Sequence, residues 1–302
     1  MISEYKIREI RWLDVVAPSK EELRDLEERY NLPGKVTSNL LSDQNIQGLN
    51  IENDTVYILL PVPIKNDKSL TLENVLFAIS NKHIVSFHNN DIHSIQKFTH
   101  SVSADKLVKT TDIANHPLNV FLAISNIIYG DINSLLENIE AKAIKIESQL
   151  SKGNERSIQN VFFTLNRDIS TILPVLSYHS DLIKLFLQNS ESTFSERVGD
   201  VHERMNLSLL HLTTKAKSIQ STISNLEHTS LSLRGIRLRK YLLKIALLGI
   251  VLTLGGILCS VLVYGTYNQF VDEKYGFYGS FILIGIGTIF VITALIKLRK
   301  WL

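Results

Sequence analysis

Residues 245–264 read IALLGIVLTLGGILCSVLVY, and residues 277–296 read FYGSFILIGIGTIFVITALI. Neither run carries a charge. At a rise of about 1.5 Å per residue, each spans roughly 30 Å as a helix, the thickness of bilayer hydrocarbon. Only residues 265–276 separate them. Two spans on so short a loop predict an antiparallel hairpin, because hydrocarbon tolerates no open backbone. Glycines recur in both runs, at 249, 255, 256, 279, 285 and 287. In lipid, where packing drives association, such residues let helices approach closely.

Orientation follows from the flanks. Arg234, Arg237, Arg239, Lys240 and Lys244 precede the first run, and Lys297, Arg299 and Lys300 follow the second. The loop holds only Lys274, beside Asp272 and Glu273. The positive-inside rule then predicts two cytosolic termini and an external loop. The opening residues, MISEYKIREIRWLD, contain no apolar core of a signal peptide. Residues 1–244 are therefore expected in the cytosol.

The whole chain agrees with this. It has 302 residues, 45% of them hydrophobic and 21% charged, which excludes a disordered or highly polar protein. A mean hydropathy of +0.09 is high for a soluble protein, and the excess lies in the C-terminal fifth. The single cysteine, Cys259, rules out a disulfide framework or a cysteine-rich zinc site and reads as a small packing residue in the first run. A net charge of +2 gives no bulk attraction to nucleic acid, and no nucleic-acid partner is expected.

Upstream, residues 1–115 alternate strand-like and helix-like pieces. Residues 7–16, IREIRWLDVV, read as a strand. Ser19 with Glu22 forms a capping box that opens a helix with Leu23, Leu26 and Tyr30 on one face, closed by Pro33-Gly34. Residues 45–64 read as a hairpin about Asn53-Asp54, and residues 70–90 as a second about Asn81-Lys82. His83, His88, His93 and His100 fit no zinc spacing and read as ordinary core or surface histidines.

From 118 the apolar spacing turns helical. Ile128, Ile132, Leu135, Ile139, Ala143, Ile146 and Leu150 form one stripe. A second helix, over about 156–189, carries Ile158, Phe162, Leu165 and Ile169, with a kink expected at Pro174. Then Val201, Met205, Leu209, Leu212, Ala216, Ile219, Ile223, Leu226 and Leu233 repeat at the step of a coiled-coil seam. No proline follows Pro174, so one helix is predicted from about Ser195 into the first membrane run, roughly 100 Å long.

The fold class is thus an α+β membrane protein in three parts. A cytosolic α/β domain occupies 1–117. A helical hairpin and long stalk helix occupy 118–244. A transmembrane domain occupies 245–302, divided into span 245–264, external loop 265–276, span 277–296 and basic tail 297–302.

This plan resembles the CorA family of divalent-metal transporters. Trp12-Leu13-Asp14 followed by Pro18-Ser19-Lys20-Glu21-Glu22 is similar to the family's W-[IL]-D-x-x-x-P-[ST]-x-E-E opening, and Lys300-Trp301-Leu302 to its K-x-W-L-type ending. Val75-Leu76-Phe77 through His83-Ile84-Val85-Ser86-Phe87-His88 resembles a strand pair of the family. Where the family carries Y-G-M-N, this chain has Tyr264-Gly265-Thr266-Tyr267-Asn268. Either the Asn follows one residue late, or Thr266-Tyr267-Asn268 stands in place of G-M-N.

The resemblance implies a homopentamer in the bacterial cytoplasmic membrane, in contact with lipid, passing Mg²⁺, and Co²⁺ or Ni²⁺, without ATP. Gly265, Thr266, Tyr267 and Asn268 would form the outer mouth, with Asn268 meeting the hydrated ion and Asp272 and Glu273 concentrating cations. Steps of three or four place Leu262, Leu258, Gly255, Val251, Leu248, Lys244 and Tyr241 on one stripe. Leu248, Val251, Gly255, Leu258 and Leu262 would line an apolar gate. Lys244 on the axis would oppose cations, whereas turned outward it joins a basic collar. Asp200 and Glu203 on the stalk, with Asp91 or Asp67, are candidate carboxylates for regulatory Mg²⁺. The residues leave open a zinc transporter of the related branch and a non-conducting scaffold. No triad or phosphate-loop motif points to an enzyme.

Overall fold

The computed structural model describes residues 1–30, 32, 48–52, 54–66, 69–103, 116–151, 158–194, 197–267 and 285. They fall into two compact units, Met1–Glu227 and His228–Leu302. The first unit opens with strands β1 (Ile2–Ile7) and β2 (Ile10–Val16) and helix α1 (Lys20–Tyr30). Strands β3 (Leu49–Glu52), β4 (Thr55–Lys65), β5 (Leu70–Ile79) and β6 (His83–His88) follow. Helices α2 (His93–Ser103), α3 (Pro117–Ser151), α4 (Ile158–Phe194) and α5 (Arg197–Tyr267) complete the described elements.

Residues 7–16 do not form one strand. The chain turns at Arg8-Glu9, with Arg8 at φ 54°, and Ile7 pairs with Ile10 across a tight antiparallel hairpin. The additional strand, ISEYKI, lies at the sheet edge with alternate residues exposed, so it carries almost no apolar signal. The two expected hairpins form where turn residues interrupt apolar runs. Glu52 pairs with Thr55, with Asp54 at φ 59°, and Ile79 pairs with Ile84. A left-handed Asp is what a two-residue hairpin turn favours. The sheet order is β1-β2-β6-β5-β4-β3, with β2 and β6 parallel and every other pair antiparallel.

Alternation sends each strand's side chains to opposite faces. Leu13, Val15, Tyr57, Leu76, Ala78, Val85 and Phe87 pack on one face with Leu23 and Leu26 of α1. The capping box starts that helix. The Glu22 N–H donates to Ser19 Oγ at 3.2 Å, and the Ser19 N–H donates to the Glu22 carboxylate at 2.8 Å. On the other face, Trp12 meets Phe98 of α2 at 4.9 Å between ring centres, and Phe77 meets Phe121 of α3 at 5.2 Å.

Helices α3 and α4 run antiparallel, as their ring pairs show: Phe121 stands by Phe186 and Tyr129 by His179. Pro174 lies within α4 without ending it. The seam of α5 is buried from Val201 through Ile223 within this single chain. Lys215 of α5 reaches Asn133 Oδ1 of α3 at 2.8 Å, and Asn166 of α4 donates to Glu227 of α5 at 3.2 Å. The chain's own helices therefore cover the seam that periodicity exposed.

Before β3, the Gly48 carbonyl accepts from the Leu59 N–H at 2.9 Å. A Cβ there would collide with the Tyr178 hydroxyl and lie 2.9 Å from Leu182. Gly48→Ala is expected to cost about 1–3 kcal/mol through overpacking, read as a lower Tm by circular dichroism. Adding Tyr178→Phe removes the nearest atom and should restore part of the loss. A Gly48→Ala protein with an unchanged Tm would refute this close approach.

Candidate functional site

The most connected polar cluster in the first unit lies inside the sheet. Asp14 on β2 stands opposite Ser86 on β6, and Val16 opposite His88. Ser86 Oγ donates to Asp14 Oδ1 at 2.6 Å and accepts from Trp12 Nε1 at 3.1 Å. His88 Nε2 donates to the same Asp14 oxygen at 3.0 Å, and His88 Nδ1 to the Asn90 carbonyl at 2.6 Å. Both ring nitrogens face acceptors, so the geometry calls for an imidazolium. Burial works against that charge, but the Asp14 carboxylate and the Asn90 carbonyl outweigh it and raise the His88 pKa.

The order of groups decides what this cluster can do. The carboxylate lies between serine and histidine, whereas an activated serine needs the imidazole beside its hydroxyl. Ser86 is also fully buried. The cluster is a structural polar core, not a catalytic constellation.

The remaining histidines divide by environment. His83 is half-buried and accepts or donates at Nδ1 with Ser80 Oγ, 2.9 Å away; burial and Arg11 lower its pKa. His93 and His100 are exposed. His179 donates from Nε2 to the Pro61 carbonyl at 2.9 Å, and burial pulls its pKa down to about 4, so the ring is neutral. Among the described residues, no three His, Cys, Asp or Glu side chains gather as a metal site. Asp91, Asp200 and Glu203 are exposed, and Asp67 lies outside the described residues.

The ion-pathway residues belong to the second unit. Helix α5 continues to Tyr267, so Gly265, Thr266 and Tyr267 are helical instead of lying in the expected loop. That stretch holds neither charge nor proline to end a helix. Asn268, Asp272, Glu273, the basic tail and the second apolar run lie outside the described residues, apart from helical Gly285.

Among the described residues, α5 is the one helix long and apolar enough to cross a membrane, and none of its apolar window is buried. Leu248, Ile250, Leu252, Leu254 and Ile257 are each at least 45% exposed. Removing one such side chain from water is worth about 1.5–3 kcal/mol. Several left in water would cancel the whole stability of a typical domain, about 5–15 kcal/mol. This surface must meet lipid or other helices.

Of the expected gate stripe, Leu248 is exposed and Val251 and Gly255 are half-exposed; Leu258 and Leu262 fall within the helix. Lys244 lies one turn before Leu248 on the same face, with its ammonium 6.0 Å from the Tyr241 ring centre. The opposite face carries Gly249, Thr253, Gly256 and Ser260. Thr253 Oγ1 donates to the Ile250 carbonyl at 2.9 Å, and Ser260 Oγ to the Ile257 carbonyl at 2.8 Å.

Sequence reasoning missed the Asp14–Ser86–His88 cluster. Its signal was available: Asp14 and Ser86 occupy core-facing positions of otherwise apolar strands, where an unpaired polar group is costly.

Comparison with known proteins fits the architecture. A family model described as CorA-like Mg²⁺ transporter protein matches residues 8–300. The chain is similar to the complete CorA magnesium transporter of Methanocaldococcus jannaschii, at 16% identity and TM-score 0.77, over 95% of this chain and 91% of that one. It is similar to the full-length CmaX protein at 18% identity and TM-score 0.70, over 96% and 88% of the two chains. The cytoplasmic domain of ZntB from Vibrio parahaemolyticus follows at 12% identity and TM-score 0.56, over 76% and 89%. At these identities the likeness is one of fold. No curated protein sequence matches this chain.

The His88 pair makes stability depend on pH. A histidine whose folded pKa is raised stabilises fully below its unfolded value, about 6.5, and loses that contribution as pH rises through the folded value. Stability measured by chemical denaturation is therefore expected to fall as pH climbs above about 6.5. His88→Gln should flatten that slope. Asp14→Ala at pH 6 strands Ser86 and His88 and is expected to cost roughly 3–5 kcal/mol. A wild-type slope retained by His88→Gln would show that another group titrates.

Proposed function

The chain belongs to the CorA-like Mg²⁺ transporter family, and from that membership we propose that it forms a homopentameric pore passing divalent cations passively into the cytosol. The observation that supports this reading is the apolar window of α5, long enough to cross a membrane and with none of its residues buried. Both apolar runs cross it as a hairpin. The basic flanks keep both termini in the cytosol, and the first span of each copy walls the pore.

The driving force needs no nucleotide. An inside-negative potential of 100 mV is worth about 2.3 kcal/mol per charge, hence about 4.6 kcal/mol for a divalent ion. Selection is placed at the outer mouth. Mg²⁺ sheds water reluctantly, so the mouth must hold the hydrated ion through acceptor oxygens. Asn268 offers its amide carbonyl, with Gly265, Thr266 and Tyr267 leading to it, while Asp272 and Glu273 raise the local cation concentration. On the cytosolic side, Asp200 and Glu203 are exposed carboxylates that Mg²⁺ can bridge to a neighbouring copy, coupling closure to internal Mg²⁺.

The test is growth and metal content of cells lacking their own magnesium importers. The wild-type chain should restore Mg²⁺ uptake. Asn268→Ala, present in the membrane at equal level, should reduce it at least tenfold. Zinc uptake that depends on a pH gradient would assign the chain to zinc instead. No rescue by membrane-inserted wild-type protein would overturn transport.

A further inference from the structure

Two helices and the end of a hairpin enclose a cavity of about 220 Å³ in the first unit. Along α3, Leu135, Asn138, Ile139 and Lys142 step by three and four, so they share the face that lines it. Thr164 and Asp168, one turn apart on α4, form the second wall. The end of the β4–β5 hairpin forms the third, with Lys65, Asn66 and Ser69. That end is braced. The Asn66 N–H donates to the Ser69 carbonyl at 2.9 Å, and Asn66 Nδ2 donates to Thr71 Oγ1 at 3.1 Å. None of the lining residues belongs to the Asp14–Ser86–His88 cluster or to the ion path proposed above.

The walls differ in chemistry. The hairpin end and α3 offer donors: the ammonium groups of Lys65 and Lys142, the Ser69 hydroxyl and the Asn138 amide. Neither lysine joins an ion pair among the described residues, so Asp168 does not neutralise them. Helix α4 offers acceptors. Thr164 Oγ1 donates its proton to the Asn160 carbonyl at 2.9 Å, which leaves its lone pairs, and Asp168 brings a carboxylate. That carboxylate repels a second anion, so an occupant must be anionic at one end and a donor at the other. A phosphate monoester carries a charge of about −1.5 to −2 at pH 7 and three strong acceptor oxygens. It matches two ammonium groups and two neutral donors, whereas a carboxylate, with one charge and two oxygens, leaves part of the set unused. Lysine binds phosphate as a point charge, and planar carboxylate recognition favours arginine. Size limits the rest of the molecule. Drug-sized ligands fill pockets of about 300–1,000 Å³, so this smaller cavity suits a sugar or polyol monophosphate better than a nucleotide.

We propose that this cavity binds a small sugar or polyol monophosphate, with its phosphate held by Lys65 and Lys142 and its hydroxyls by Asp168 and Thr164. Ser69 and Asn138 complete the phosphate's donors. A bound molecule ties the hairpin end to both helices, so it stabilises the first unit by mass action. All of these residues lie in that unit, and binding is therefore independent of the transport reading.

The test is thermal unfolding of the full-length protein in detergent, free of divalent cations. It is titrated with ribose 5-phosphate, inorganic phosphate or acetate at constant ionic strength. Saturating ribose 5-phosphate should raise the Tm by about 2–4 °C. Inorganic phosphate should act only at higher concentration, and acetate should have no comparable effect. Phosphate at high concentration stabilises proteins in general, so the variants decide. K65Q and K142Q should each shift the ribose 5-phosphate midpoint about tenfold or more upward, as loss of a charged hydrogen bond does. K145Q removes an exposed lysine of α3 that does not line the cavity, and should leave the midpoint unchanged. D168N should tighten inorganic phosphate by lifting the repulsion, and so narrow its gap from ribose 5-phosphate. The absence of a saturable response to ribose 5-phosphate overturns the proposal. So does an equal response to acetate, or an equal midpoint shift in K145Q, which would show diffuse charge in place of a site.

Discussion

One uninterrupted backbone hydrogen-bond ladder, from Arg197 to Tyr267, is the constraint on which the other features depend. A helix satisfies its own polar backbone whatever surrounds it, so the same ladder serves in water and in hydrocarbon. What changes along it is the side-chain pattern. As far as Ile223, apolar residues keep to one seam and are buried by the chain's own helices. Beyond Ile245, apolar side chains are no longer confined to one seam, and Leu248, Ile250, Leu252, Leu254 and Ile257 are exposed. A single proline or an early glycine-proline stop would have divided these roles between two elements, and the sequence places none there.

The sheet faces a different problem. Strands β2 and β6 lie about seventy residues apart in sequence, yet pair in parallel. Nothing local sets that register. The apolar alternation of Leu13, Val15, Val85 and Phe87 favours it, and the hydrogen bonds of Asp14, Ser86, His88 and Trp12 close with Asp14 opposite Ser86. A slip of one residue would turn Asp14 toward Leu23 and Leu26, where a carboxylate finds no donor. The buried polar cluster thus adds a penalty to the shifted register, on top of the apolar pattern.

Legibility in the sequence follows the range of the cause. The Ser19–Glu22 box, the β3–β4 hairpin that pairs Glu52 with Thr55 and the α5 seam are local patterns, and each appears where its spacing puts it. Strand β1 was hidden because an edge strand owes its pairing to a neighbour and needs no apolar stripe, and because Arg8 and Glu9 are not turn residues by type. The need for glycine at 48 was equally hidden, since the atom that forbids a side chain there belongs to Tyr178, far along the chain. As for the site, sequence could propose mouth residues only through resemblance. The role proposed for Asn268 depends on neighbouring copies, and no periodicity within one chain encodes their arrangement.

The faces of α5 show how a single-chain pattern still constrains an assembly. Periodicity reports which residues share a face but not what that face meets. Lys244 and Leu248 are one turn apart, so any rotation that turns Leu248 to a given neighbour turns Lys244 with it. Arg239 stands two heptads before Thr253 and shares its face, so the cations preceding the apolar run flank both sides of the helix. A face is a property of one helix; its neighbour is a property of the surroundings, which periodicity does not carry.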